Sequence, residues 1–110
     1  MAEINFEDWI KLDIRTAEIL KAEDIDGADK LYKLKIDLGT ETRTIVAGLK
    51  THYNKDELEG KRCIFFANLA PKKIKGIESH GMILAASNGD KSEVKLLQTD
   101  GVIEQGAKVS

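Results

Sequence analysis

Apolar and polar residues alternate most regularly between Leu31 and Leu38, where Tyr32, Leu34, Ile36 and Leu38 fall on one side and Lys33, Lys35 and Asp37 on the other. A period of two puts the first set against a core and the second in water, so this stretch is predicted to be a strand. Arg43 to Leu49 (RTIVAGL), reached through a turn at Gly39 to Thr42, is a β-branched run that pairs with it. Upstream, Leu12, Ile14 and Thr16 alternate within Leu12 to Ile25, which predicts a long strand whose phase shifts through a bulge near Ala17 to Ile19. Asp26-Gly27-Ala28-Asp29 then reads as a turn. Before that strand, Phe6, Trp9 and Ile10 at i, i+3 and i+4 predict one or two helical turns after Asn5, with an apolar face that needs cover.

In the second half, Asn54 with Glu57 three residues on, then Leu58 and Gly60, predicts a short helix with a capped start and a glycine stop. Arg62 to Leu69 (RCIFFANL) is a fourth strand, apolar on both sides: Ile64 and Phe66 on one, Cys63, Phe65, Ala67 and Leu69 on the other. Such a strand is covered on both faces. The second cover must come from the N-terminal helix, the C-terminal segment or a second subunit. Pro71 to Gly81 reads as a polar loop, Met82 to Ser87 as a fifth strand, and Asn88-Gly89 as a hairpin turn into a last strand, Glu93 to Leu97. Three strands, a short helix and two more strands is the order of the OB-fold, an all-β five-stranded barrel whose helix lies between strands 3 and 4. One domain over residues 1–110 is expected, with 1–11 and 88–110 as terminal extensions.

Charge sharpens this outline. Between Lys61 and Ile77 stand five basic residues (Lys61, Arg62, Lys72, Lys73, Lys75) and no acid, and five positive charges in a chain of net charge -2 leave -7 for the rest. Positive charge concentrated within an acidic chain is the footprint of a surface that meets phosphates. OB-folds bind oligonucleotides on strands 2 and 3 and on the loops joining strands 1 to 2 and 4 to 5, and the outward lysines and the KKIK segment fall at those places. With only three Phe, two Tyr and one Trp, most of them in core phase, platforms for stacking single-stranded bases are lacking. The surface is therefore expected to read backbone and shape, as on structured RNA.

Other chemistries find little support. Ser and Cys lack a nearby base in any recognisable motif, no phosphate loop or dinucleotide fingerprint is present, and Asp13 and Asp37 alternate with core residues as exposed polar positions. No enzymatic activity and no cofactor are expected. The lone Cys63 has no disulfide partner, no Cys/His cluster suggests zinc, and no apolar run spans a bilayer, so a cytoplasmic protein without a membrane contact is expected.

The runs DIRTAEI, ADKLYKLKIDLG, RTIVAGL, ANLAPKKIKGIESHGM and ILAAS resemble the tRNA-binding domain found at the C-terminus of many methionyl-tRNA synthetases. It also occurs as separate archaeal β subunits, as freestanding dimeric tRNA-binding proteins, and in the cytokine-like endothelial monocyte-activating polypeptide. The likeness spans about Phe6 to Val109, and NLxPxKxxGxxSxGM is its most specific run. It implies structure-specific tRNA binding, homodimerisation through the terminal extensions, and partnership with a methionyl-tRNA synthetase catalytic subunit. Carried over by motif position, the RNA contacts are Lys30, Lys33, Arg43, Asn68, Lys72, Lys73, Lys75, Ser79 and Met82. Ala47 stands where the family often has serine, and His80 where it commonly has Glu. A sister group, the CsaA export chaperones that bind apolar peptide segments, is the alternative reading.

Overall fold

The computed structural model describes residues 1–110. Its strands are β1 (Ile14–Ile25), β2 (Ala28–Asp37), β3 (Thr42–Ala47), β4 (Arg62–Phe66), β5 (Lys72–Ile74), β6 (Ile77–Ser79), β7 (Met82–Ile83), β8 (Ala85–Ser87) and β9 (Val94–Leu96). Two four-residue helices, α1 (Phe6–Trp9) and α2 (Lys55–Leu58), precede β1 and separate β3 from β4. The all-β order with a helix between the third and fourth strands is thus present. β3, β2, β1, β4 and β7 form one antiparallel sheet in that order, and β5–β6 and β8–β9 form two small hairpin sheets.

The strand phases follow the alternation of the sequence. Tyr32, Leu34 and Ile36 point into a core shared with Ile19, Ile45, Leu58, Cys63 and Phe65. Fully burying one such large side chain contributes about 1.5–3 kcal/mol. In β1 the bulge falls at Leu20, one residue beyond the expected span, where the pairing with β2 slips between Ile19 and Lys21. Leu20 is thereby turned outward, and the inward phase passes from Ala17 and Ile19 to Ala22. The β1–β2 turn is tighter than four residues, because Gly27 at φ +75° lets Ile25 pair with Ala28. Glu57 accepts the Asn54 amide at 2.7 Å at the head of α2, and Gly60 at φ +88° turns the chain into β4.

β4 stops at Phe66, three residues short of the expected end, but it is buried on both faces as anticipated. Cys63 and Phe65 face the main core, while Ile64, 8% exposed, pairs with Thr16 of β1 on the opposite face. Ile14 and Thr16 are also buried, and a segment near the C-terminus runs along this part of β1. The Thr16 amide donates to Ala107 O (2.9 Å), the Gly106 amide to Thr16 O (2.7 Å), and the Val109 amide to Ile14 O (2.8 Å). Ile64 is therefore buried within one chain, and a two-sided β4 does not by itself require a second subunit. Gly39 and Gly106 permit the close fit: a Cβ on Gly106 would collide with Leu38 O, and one on Gly39 would lie 2.6 Å from Gln105 O.

Three expectations from the second half change. Pro71 to Gly81 contains the β5–β6 hairpin, turned by Lys75 (φ 52°) and Gly76 (φ 79°), a two-residue turn with both central residues at positive φ. The fifth strand is interrupted at Leu84, whose amide donates to Ile64 O while the chain leaves β4 and begins the β8–β9 ribbon. That ribbon is closed not by a two-residue Asn88-Gly89 turn but by residues 88–93, in which Asn88 Oδ1 accepts the Glu93 amide and Asp90 Oδ1 accepts the Ser92 amide, both at 3.0 Å. Side-chain turns by Asn and Asp replaced the backbone turn.

α1 forms where the i, i+3, i+4 pattern placed it, but no part of it is buried, with Phe6 and Ile10 more than half exposed and Trp9 39% exposed. Its apolar face is uncovered in the single chain.

Candidate nucleic-acid interface

The outward face of β2 and β3 and the β5–β6 hairpin beside them form one surface. Register sets Lys33 opposite Val46 and Lys35 opposite Thr44. The hairpin is held against β3 by two hydrogen bonds: the His80 amide donates to Thr44 O at 3.1 Å, and the Val46 amide donates to Ser79 Oγ at 3.0 Å. Alternation within the hairpin separates its charges. Lys72 pairs with Ser79 and Ile74 with Ile77 on one face, whereas Lys73 pairs with Glu78 on the other. The acid-free run noted in the sequence thus ends on the residue that faces Lys73.

At the hairpin tip Lys75 reaches an open groove of about 370 Å³ lined also by Gly27, Ala28, Asp29, Lys30 and Leu31. Lys30 and Lys75, forty-five positions apart in sequence, come together there. None of Lys30, Lys33, Lys35, Lys72, Lys73 and Lys75 takes part in the five ion pairs of the molecule. By contrast Lys50 and Lys55 are both engaged by Asp24, at 3.1 and 2.7 Å, and hold its carboxyl below the usual range.

Three of the sequence candidates turn out to have bonding partners within the protein. Arg43 forms an ion pair with Glu41 and donates to Ala67 O at 2.9 Å, with His80 O at 3.5 Å, so its guanidinium braces β3 against both ends of the hairpin segment. The same contact holds the Glu41 carboxyl below its ordinary value. Asn68 is exposed, and its Oδ1 accepts the Asp13 amide at 2.8 Å while its Nδ2 donates to Lys11 O at 2.7 Å, fixing the entry to β1. Ser79 is buried with its hydroxyl on the Val46 amide. Met82, 44% exposed, sits between two apolar clefts that also share Val46. Val46 was missed in the sequence, although it breaks the outward polar phase of RTIVAGL.

Next to Asn68, Arg15 clasps Asp13 through Nε and Nη2, both at 2.8 Å, which lowers the Asp13 carboxyl and raises the Arg15 guanidinium. No group of three or more His, Cys, Asp or Glu is placed to hold a metal ion. No helix is long and apolar enough to cross a membrane.

Residues 14–108 match the family described as "Putative tRNA binding domain". The chain belongs to this tRNA-binding domain family. It is 50% identical over 109 residues to the methionine-tRNA ligase of Pyrococcus horikoshii, a match that takes in 99% of this chain and 15% of the ligase. The chain thus spans about a seventh of the length of the curated relatives it matches. In solved structures it superposes on a methionyl-tRNA-synthetase-related protein of P. horikoshii with a TM-score of 0.93, at 38% identity and full coverage of both chains. The CsaA chaperone of Picrophilus torridus matches at a TM-score of 0.87 and 39% identity, over 98% of this chain and all of that one. As a member of this family the chain is a non-catalytic tRNA-binding domain related to methionyl-tRNA synthetase.

Proposed function

We propose that the chain grips the body of tRNA by its backbone, through Lys30, Lys33, Lys72, Lys73 and Lys75, and raises the local concentration of tRNA at a methionyl-tRNA synthetase catalytic subunit in the cytoplasm. The observation that carries this reading is the set of lysines free of ion pairs on β2 and the β5–β6 hairpin, which includes the Lys30–Lys75 groove. Lysines act on phosphate as point charges and need no fixed partner. Arg43, Asn68 and Ser79 enter the proposal as positioning residues, since their polar atoms hold the surface together. The sheet is proposed to close as an OB barrel across β3 and the hairpin, a closure supported by the His80–Thr44 and Ser79–Val46 hydrogen bonds. Residues 1–11 and 88–110 are taken as extensions of that unit. The uncovered face of Phe6, Trp9 and Ile10 supports homodimerisation through them.

A gel shift with unfractionated tRNA across a salt series tests the electrostatic grip. About five lysines on phosphates give log K against log salt a slope of roughly -3 to -5. The double variant Lys72→Ala, Lys73→Ala weakens many tRNAs alike, and affinity indifferent to salt refutes the reading. The dimer fails if sedimentation at micromolar concentration finds a monomer.

A second reading, apolar peptide binding, is favoured by the likeness to the CsaA chaperone and by the exposed apolar face of α1. Peptide binding that survives high salt, with tRNA binding absent, would establish it.

A further inference from the structure

The pair Asn88-Gly89 has the composition of a two-residue hairpin turn, yet the chain reverses through residues 88–93 and Gly89 does not take a positive φ. The fold therefore makes no use of glycine's conformational freedom at this position. A Cβ on Gly89 would meet nothing within 4 Å, so alanine fits there as well. What the missing side chain leaves is an unshielded backbone nitrogen. The Gly89 amide has no hydrogen-bond partner in the protein, and residues 88–93 are all exposed. Asn5, Asn54 and Asn68 are instead followed by Phe6, Lys55 and Leu69, whose side chains crowd the corresponding nitrogen.

We infer that Asn88 is a site of spontaneous conversion to isoaspartate, which makes the aged loop a substrate for a methyltransferase acting on isoaspartyl carboxylates. The Gly89 nitrogen gives its proton to hydroxide and bonds to Asn88 Cγ, while the Cγ–Nδ2 bond breaks and Nδ2 leaves as ammonia with a proton from water. Water then opens the cyclic imide. Cleavage between Gly89 N and Cγ gives aspartate; cleavage between Gly89 N and the backbone carbonyl carbon of residue 88 routes the chain through Cγ and gives isoaspartate. Two bonds oppose ring closure, since Asn88 Oδ1 accepts the Glu93 amide at 3.0 Å and Nδ2 donates to Ser92 Oγ at 2.9 Å. Both partners lie in the same exposed loop, where local opening costs little, so the reaction needs no global unfolding.

The change reaches past the loop. The Asn88 amide also donates to Glu93 O at 3.3 Å, and its carbonyl accepts the Lys91 amide at 3.0 Å, so residue 88 organises the whole reversal. Isoaspartate lengthens the main chain by a methylene. It also removes the donor to Ser92 and sets a second carboxylate near Asp90, whose Oδ1 already accepts the Ser92 hydroxyl at 2.8 Å. The β8–β9 ribbon closed by this loop carries Leu96 into the core, with its amide bonded to the Tyr53 hydroxyl at 3.2 Å. None of this depends on RNA binding.

The full chain is held in native buffer at pH 6 and at pH 8, digested and mapped by mass. A parallel sample is incubated with an isoaspartyl carboxyl methyltransferase and methyl-labelled S-adenosylmethionine. The peptide holding Asn88 gains the mass of an amide-to-acid exchange, faster at pH 8, while those holding Asn5, Asn54 and Asn68 do not. The methyl label lands on residue 88, and only in the aged chain. Gly89→Ala does not lower the melting temperature of fresh protein, and it brings conversion at residue 88 down to the level of the other three asparagines. The aged fraction, separated by its extra negative charge, melts below the fresh one. The site is lost if Asn88 keeps its amide as long as the other three, if Gly89→Ala converts as fast as the wild-type chain, or if conversion appears only in denaturant. Aspartate without isoaspartate, and so no methyl label, removes the methyltransferase substrate. An aged fraction that melts with the fresh one overturns the link to the core.

Discussion

The Val46 amide donates its hydrogen bond to the Ser79 hydroxyl, 3.0 Å away, across the gap between β3 and the β5–β6 hairpin. Val46 N–H has no strand beyond β3 to serve it, so a side chain takes the place of a ladder partner. Ser79→Ala leaves that amide without its partner at a partly buried position and destabilises the fold by about 1–3 kcal/mol. Urea unfolding measures the loss. An unchanged midpoint would show that water or a hairpin shift replaces the hydroxyl.

Glu78 stands opposite Lys73 in the hairpin, the one acid set among the proposed phosphate contacts of β5–β6. Glu78→Gln removes its repulsion of phosphate. Affinity for tRNA then rises about twofold to fivefold at low salt, and the gain shrinks as salt screens it. Binding that is weakened instead would mean that Glu78 orders the hairpin more than it opposes the RNA.

Asp13 is clasped by Arg15, and its carboxyl is held below the usual value of 3.8 chiefly by that hydrogen bond. A depressed folded-state value means the contribution is present above the unfolded value and lost as pH falls through the folded one. Stability therefore declines below about pH 4, and Asp13→Asn flattens part of that decline while lowering stability at pH 7. Thermal melts of both proteins from pH 3 to 7 measure it, on a scale kept small by the partial exposure of the pair. Parallel melting curves across that range would exclude the pair as a source.

Burial pushes the Cys63 thiol up to about 12. In the folded chain a thiol reagent at pH 8 finds neither thiolate nor access, and labelling waits on opening of the sheet. The rate in native buffer is therefore far below that in denaturant, and it tracks global stability across destabilising variants. Rapid native labelling would place Cys63 outside a closed core.

The inward phases of β2, β3 and β4 were legible because one face of each meets the core and alternation records that directly. α2 was legible from Asn54, Glu57 and Gly60, whose roles are local. The β5–β6 hairpin was hidden because its turn is Lys75-Gly76, and lysine at positive φ carries no turn signal of its own. The lysines of the candidate interface could be named from charge, but their grouping depends on a hairpin leaning across β3. Asn68, Arg43 and Ser79 were singled out in the sequence, but their hydrogen bonds within the protein were not. Each bonds a backbone group far away in sequence, and no local pattern marks which groups lack partners.

The segment lying along the start of β1 also orders events in time. The Thr16 hydroxyl donates to Glu104 O and accepts from the Ala107 amide, 88 and 91 positions downstream. During synthesis this edge of β1 stays open until residues 104–109 emerge, and an open edge is the part of a sheet that recruits other chains. Nascent chains halted short of Glu104 are the ones expected to need a chaperone.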